Sequence, residues 1–233
     1  MKRANRLTCL GLAAAVLSPM LMATPAAAGC GDGPAAGVDW SKCEKRRLVL
    51  RGRDLSNGTF LRTDFSRSDL ADARLSGADL TEADFEHARL AGADLSGATL
   101  TKAHGGRADF TGAVLKGADL GKAEMARADF TGADFTGANL QKAELGRAML
   151  VDALLDGADL SYAEIARAVF AGASLAGSDM TGAYTYLARF GATDLSGVKG
   201  LTQDQLDAAC GDDATKLPAG LTAPEAWPCG QEE

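Results

Sequence analysis

The sequence predicts an all-β protein, a solenoid whose short extended sides wind four to a coil around an apolar axis. Three observations carry this. Every fifth residue from Leu55 to Met180 falls in one register, and 25 of its 26 positions are Leu, Phe, Met or Ile. Two residues earlier, every fifth position from Ala73 to Ala173 is alanine, 21 times without a break. The surface residues recur at 20: Arg107, Arg127, Arg147 and Arg167 form one column, and Lys102, Lys122 and Lys142 another.

A period of five rules out both regular alternatives. In an α-helix five residues rotate by about 140°, which smears the leucines around the circumference. In a continuous strand an odd step sends successive leucines to opposite faces. The pattern works when each five residues make one short side and one corner. Ala78 and Leu80, two apart, then point inward and Asp79 points out. The following pair, such as Ser96-Gly97 or Thr111-Gly112, supplies turn chemistry.

Residues 1–28 come first. Lys2, Arg3 and Arg6 precede an apolar stretch that ends in Ala26, Ala27 and Ala28. This is the pattern of a secretory signal peptide cleaved near Ala28. The stretch is broken by Ser18 and Pro19 and is a poor membrane span. Cleavage removes three positive charges and no negative ones, taking the formal charge from −7 to −10. That balance disfavours nonspecific nucleic-acid binding.

Residues 29–52 read as an N-terminal cap, with Val38, Trp40, Leu48 and Leu50 in the inward phase. Four cysteines remain after cleavage, Cys30 with Cys43 and Cys210 with Cys229, one group at each end of the repetitive region. In an exported chain they read as two disulfides. Metal binding lacks a His or second Cys at ligand spacing. Lipidation of Cys30, after Ala27-Ala28-Gly29, is the competing reading.

Residues 53–199 are the solenoid. Its corners differ: Gly77, Gly97, Gly117 and Gly137 mark one, Gly92, Gly112 and Gly132 another, and basic residues the remaining two. ADLSG, ADFTG and ANLQK closely match A(D/N)LxX, and the chain here resembles the pentapeptide-repeat family. The resemblance implies a right-handed quadrilateral β-helix of about 7.5 coils. It also brings the family's DNA mimics, which act on topoisomerases through an acidic surface. Asp79, Asp119, Asp159 and Asp179 form such a column here, though an interrupted one.

Residues 200–233 read as the C-terminal cap. Thr202 and Gln205 form the capping box of a short helix, and the tail from Leu217 to Cys229 is expected over the last coil.

Two faults break the beat. Gly105 stands where a core Leu or Phe belongs, and Phe85 and Met125, one coil away on either side, are expected to fill the space; the alternative is a ligand pocket beside His104. Thr185 also replaces a core residue, and Tyr162, Tyr184, Tyr186 and Leu187 gather around it as a candidate protein or glycan surface unless the cap covers them. Met149, Val151, Leu154 and Val169 make a second apolar patch, expected on one face and suited to self-association.

The basic columns, interleaved with Glu124, Glu144 and Glu164, are expected to form exposed charge ladders, and the outward aspartates a solvated ladder. No nucleophile, acid-base pair or phosphate loop is recognisable, and the two histidines, His87 and His104, lie on the repeats. No enzyme, cofactor or nucleic-acid partner is expected. The sequence predicts an exported scaffold or protein-binding module, a monomer or weak homodimer, in a bacterial periplasm or outside the cell. A lipid-anchored envelope scaffold and a DNA mimic are the alternatives.

Overall fold

The computed structural model describes residues 29–228; the expected signal peptide and Cys229 lie outside the described residues. Each side places one residue in a parallel bridge with the residue one coil on, 20 positions away in the repeats. The bridged residues form four columns, one per face. Face 1 runs from Asp39 to Lys199 and face 2 from Glu44 to Tyr184. Face 3 runs from Val49 through Arg189 to Cys210, and face 4 from Asp54 through Asp194 to Lys216. The chain is a right-handed quadrilateral β-helix. Its ladder opens at Asp39, so the segment 29–52 contributes coil as well as cap.

The backbone around Leu80 shows why five residues suffice. Leu80 N–H donates to Thr99 O (2.7 Å) and Glu82 N–H to Thr101 O (3.0 Å), both one coil ahead. Asp84 N–H donates to Thr63 O one coil back (2.9 Å), and Ala83 N–H closes the turn onto Leu80 O (3.0 Å). The fifth N–H, of Thr81, donates to Asp79 Oδ1 (3.0 Å). All 14 aspartates of the bridged columns, from Asp39 to Asp194, and Asn139 accept in this way from the residue two ahead. The outward aspartates are therefore not a merely solvated ladder. Each completes the hydrogen bonding of its own corner as an Asx-turn.

Every fifth residue from Gly37 to Ala192 is left-handed, with φ between 53° and 72°, as the third residue of a type II turn must be. Nineteen of these corners hold a residue other than glycine, a conformation that costs about 1 kcal/mol each.

Inside, the alanine column lets the sides approach while Leu and Phe fill the axis. Rings stack from coil to coil, as in Phe65 on Phe85 (5.5 Å, 9°) and Phe170 on Phe190 (5.1 Å, 25°). Each such side chain contributes roughly 1.5–3 kcal/mol.

Both ends are closed. At the first coil Trp40 is buried against Phe60 and Phe65, and the Cys30–Cys43 disulfide folds its loop across. Lys45 occupies a core position there: its Nζ sits 3.8 Å over the Trp40 ring and donates to Cys30 O (2.7 Å). Burial pushes its ammonium pKa down. Leu48, expected inward, is 37% exposed. At the other end α1 (Gln203–Asp207) carries the expected capping box, Leu206 is buried, and Leu217, Leu221 and Trp227 pack against the core. Cys210 is disulfide-bonded.

Candidate functional site

Thr185 is at the centre of the aromatic fault, and its role is structural. Its Oγ1 donates to Gln205 O (2.6 Å) from a buried position, while Gln205 Nε2 reaches back to Met180 O and Ala183 O (3.0 and 2.8 Å). A hydroxyl replaces the core Leu because α1 docks on it. The cap held this way does not cover the tyrosines: Tyr162 and Tyr184 are 56% exposed and Tyr186 46%. Tyr184 and Tyr186 stack with centroids 6.3 Å apart at 13°. Tyr162 lies over Gly182, where a Cβ would strike its ring. Leu187, half-buried, turns the next corner. These residues span the C-terminal end of face 2.

The second apolar patch departs from expectation. Met149 and Val169 are bridged on face 3, whereas Leu154 stands on face 4 and Val151 at the corner between them. The patch wraps an edge, because the side after Val151 belongs to the next wall of the coil. Only Met149 and Leu154 are exposed.

The charge ladders also need correcting. Arg46, Arg62 and Arg74 do pair, with Asp64, Glu82 and Asp54. Yet among the described residues no ion pair joins Lys102, Lys122 or Lys142, nor Arg107, Arg127, Arg147 or Arg167. These side chains leave opposite corners of face 2 and do not reach the glutamates along its centre. Burial, then Glu124 and Glu164 on either side, pushes the Glu144 carboxyl above its usual range. The 20-residue recurrence KAEMAR, KAELGR, YAEIAR is the sequence signal for this row.

The acidic column of face 1 is interrupted by Thr99 and Asn139. Asp119 is held by Gly121 N–H, Asn139 Nδ2 and Thr101 Oγ1. At Gly105 the space of the missing side chain is taken by Met125, with Phe110 the next nearest side chain and Phe85 edge-on to Phe110 at 6.5 Å between centroids. His104 is exposed, its Nδ1 3.0 Å from Glu124 Oε2. Among the described residues no group of His, Cys, Asp and Glu is placed to hold a metal ion, and no helix is long and apolar enough to cross a membrane.

Comparison with known proteins agrees with this architecture. QnrB1, a plasmid-mediated fluoroquinolone resistance protein, is 22% identical, with 76% of this chain aligned to 94% of that one and a TM-score of 0.51; this likeness bears on the fold. HetL, a pentapeptide repeat protein involved in heterocyst differentiation regulation in Nostoc sp. strain PCC 7120, is 27% identical over 80% of this chain and 86% of its own, with a TM-score of 0.37. No curated protein matches in sequence. The family model of pentapeptide repeats matches in eight copies over residues 47–81, 78–104, 108–147 and 148–184. With more than half its length in these repeats, the chain belongs to the pentapeptide-repeat family.

Proposed function

We propose that the chain is an exported, noncatalytic binding module, a stiff shaft that presents the Tyr184–Tyr186 end of face 2 to a component of a bacterial periplasm or of the extracellular space. One observation carries the reading: the stacked tyrosines stay exposed beside a cap whose docking is otherwise complete. Export is supported by the basic, apolar and small-residue order of positions 1–28 and by disulfide-bonded cysteines in both caps. A lipid anchor through Cys30 needs the sulphur that Cys43 occupies. A DNA mimic needs a continuous acidic face, and face 1 is interrupted.

Mass spectrometry of the native N-terminus tests export. A chain beginning at Gly29 is expected, a diacylated Cys30 transfers the reading to an anchored scaffold, and an intact Met1 overturns it. Pull-down of the oxidised mature protein from envelope extract, repeated with Tyr184→Ala and Tyr186→Ala, tests the surface. A partner list unchanged by the substitutions removes this patch from the function.

A further inference from the structure

Face 2 differs from the other three in the company its corners keep. Lys102, Lys122 and Lys142 line one edge at φ of 58–59°. Arg107, Arg127, Arg147 and Arg167 line the other at 59–62°. The two edges of face 4 hold glycine at most of the equivalent positions, the residue the left-handed turn prefers. The basic corners thus give up backbone stability, and among the described residues no ion pair offsets it. In a chain of formal charge −7, this face sets seven cations around three stacked glutamates.

We propose that face 2 binds a linear anionic glycan laid along the shaft, its acidic groups on the Lys and Arg edges and one of its ends on the tyrosines at the C-terminal end of the face. This names the partner class of the binding module proposed above and rests on that reading. The argument begins with repetition. The full set recurs in two successive coils, Lys122-Glu124-Arg127 and Lys142-Glu144-Arg147, about 4.8 Å apart. The flanking coils keep two of the three, with His104 for the glutamate on one side and Tyr162 for the lysine on the other, so the face matches a partner made of like units better than a peptide of varied side chains. A shallow groove of about 440 Å³ runs along its Lys side from Glu82 to Glu144, and Gly106 and Gly146 keep the Arg side low.

The central glutamates decide the chemistry. Ionised carboxylates accept hydrogen bonds and donate none, so the middle of the face suits hydroxyls while its edges suit acids. A glycan bearing carboxylates supplies both. A nucleic-acid strand brings phosphates against the glutamates and finds no aromatic platform in the middle coils. Tyr184 and Tyr186, stacked and exposed at the end, offer flat apolar rings to the C–H face of a sugar.

Calorimetric titration of the oxidised mature protein with oligogalacturonate tests this, with polyglutamate, oligothymidylate and neutral dextran as comparison probes. Oligogalacturonate is expected to bind, more weakly as salt rises, with affinity falling about ten-fold in the Arg127→Gln/Arg147→Gln variant and several-fold in Tyr184→Ala. Lys116→Gln, whose lysine is paired with Asp134 outside face 2, leaves binding unchanged. Circular dichroism confirms that each variant is folded. Failure of oligogalacturonate to bind overturns the proposal, as does binding indifferent to the arginines, or equal or tighter binding of polyglutamate or oligothymidylate. If the Tyr-dependent pull-down persists while oligogalacturonate fails, the glycan assignment falls and the binding module stands; loss of both sinks both.

Discussion

Asp129 accepts the backbone N–H of Thr131, two residues ahead, at 2.9 Å. The bond satisfies the one donor in each side that the coil ladder leaves over, which gives the second position of the repeat its chemical meaning. Asn139 does the same for Gln141, so a neutral acceptor suffices. Asp129→Asn is expected to be nearly neutral in denaturant unfolding, and Asp129→Ala to cost about 1 kcal/mol, as loss of a comparable helix cap does.

Acid acts on the same acceptors. Asp54 is held at about 2 by Arg74 and Ser56, and Asp194 at about 2 by Ser196 and Lys216; hydroxyl and backbone donors also lower Asp39 and Asp179. A depressed carboxyl contributes stability fully present above its unfolded value, near 3.8, and lost as pH falls through the folded one. Glu144 has the opposite sign, since its raised pKa means protonation favours the folded chain. Tm is therefore expected to hold or rise slightly from pH 7 to about pH 5 and to fall between about pH 4 and pH 2. Thermal scans across that range check it, and a fall already finished above about pH 4.5 contradicts it.

Corner geometry can be tested apart from packing. Gly137 has φ of 66° and open space where a Cβ would stand. Gly137→Ala should then cost about 1 kcal/mol through the backbone alone. Lys122, at 59°, should show the reverse: Lys122→Gly gains up to about 1 kcal/mol, less the entropy glycine adds to the unfolded chain. Urea midpoints of both variants read the two signs, and equal signs would refute the turn assignment.

The shaft was legible because Ala78 and Leu80 reveal their common direction through a period that neither helix nor strand tolerates. The job of Asp79 was not, since spacing shows which residues are neighbours but not where the N–H of Thr81 points. For the same reason Arg147 and Glu144 read as partners: a 20-residue register places them on one face, yet reach across that face depends on where each side chain leaves its corner. Thr185 looked like a lapse in the core because the helix that docks on it lies outside the five-residue beat. Exposure of Tyr184 and Tyr186 turned on how the cap sits, which no local pattern encodes.

Cap docking at Thr185 is open to a near-isosteric test. Thr185→Val keeps the volume and removes the bond to Gln205 O from a buried site. A cost of about 1–2 kcal/mol is expected, from the unsatisfied carbonyl. The loss should be local, so amide exchange at Leu206 and Ala208, whose N–H groups bond within the cap, should accelerate well before exchange at Leu80 or Leu100. Uniform acceleration along the shaft would mean that the cap is not held chiefly by this contact.

Gly105 and Met125 share one space, and a double-mutant cycle measures the sharing. A Cβ at Gly105 would strike the Met125 sulphur, so Gly105→Leu alone overpacks the axis and is expected to cost about 1–3 kcal/mol. Met125→Ala alone empties the same volume beside Phe110 and is expected to cost about 3 kcal/mol. In the double variant the leucine enters the vacated space, and the combined loss should fall short of the sum by about 2 kcal/mol. Strict additivity would mean that methionine and glycine do not compensate each other, and the vacancy would then have to be filled from another coil.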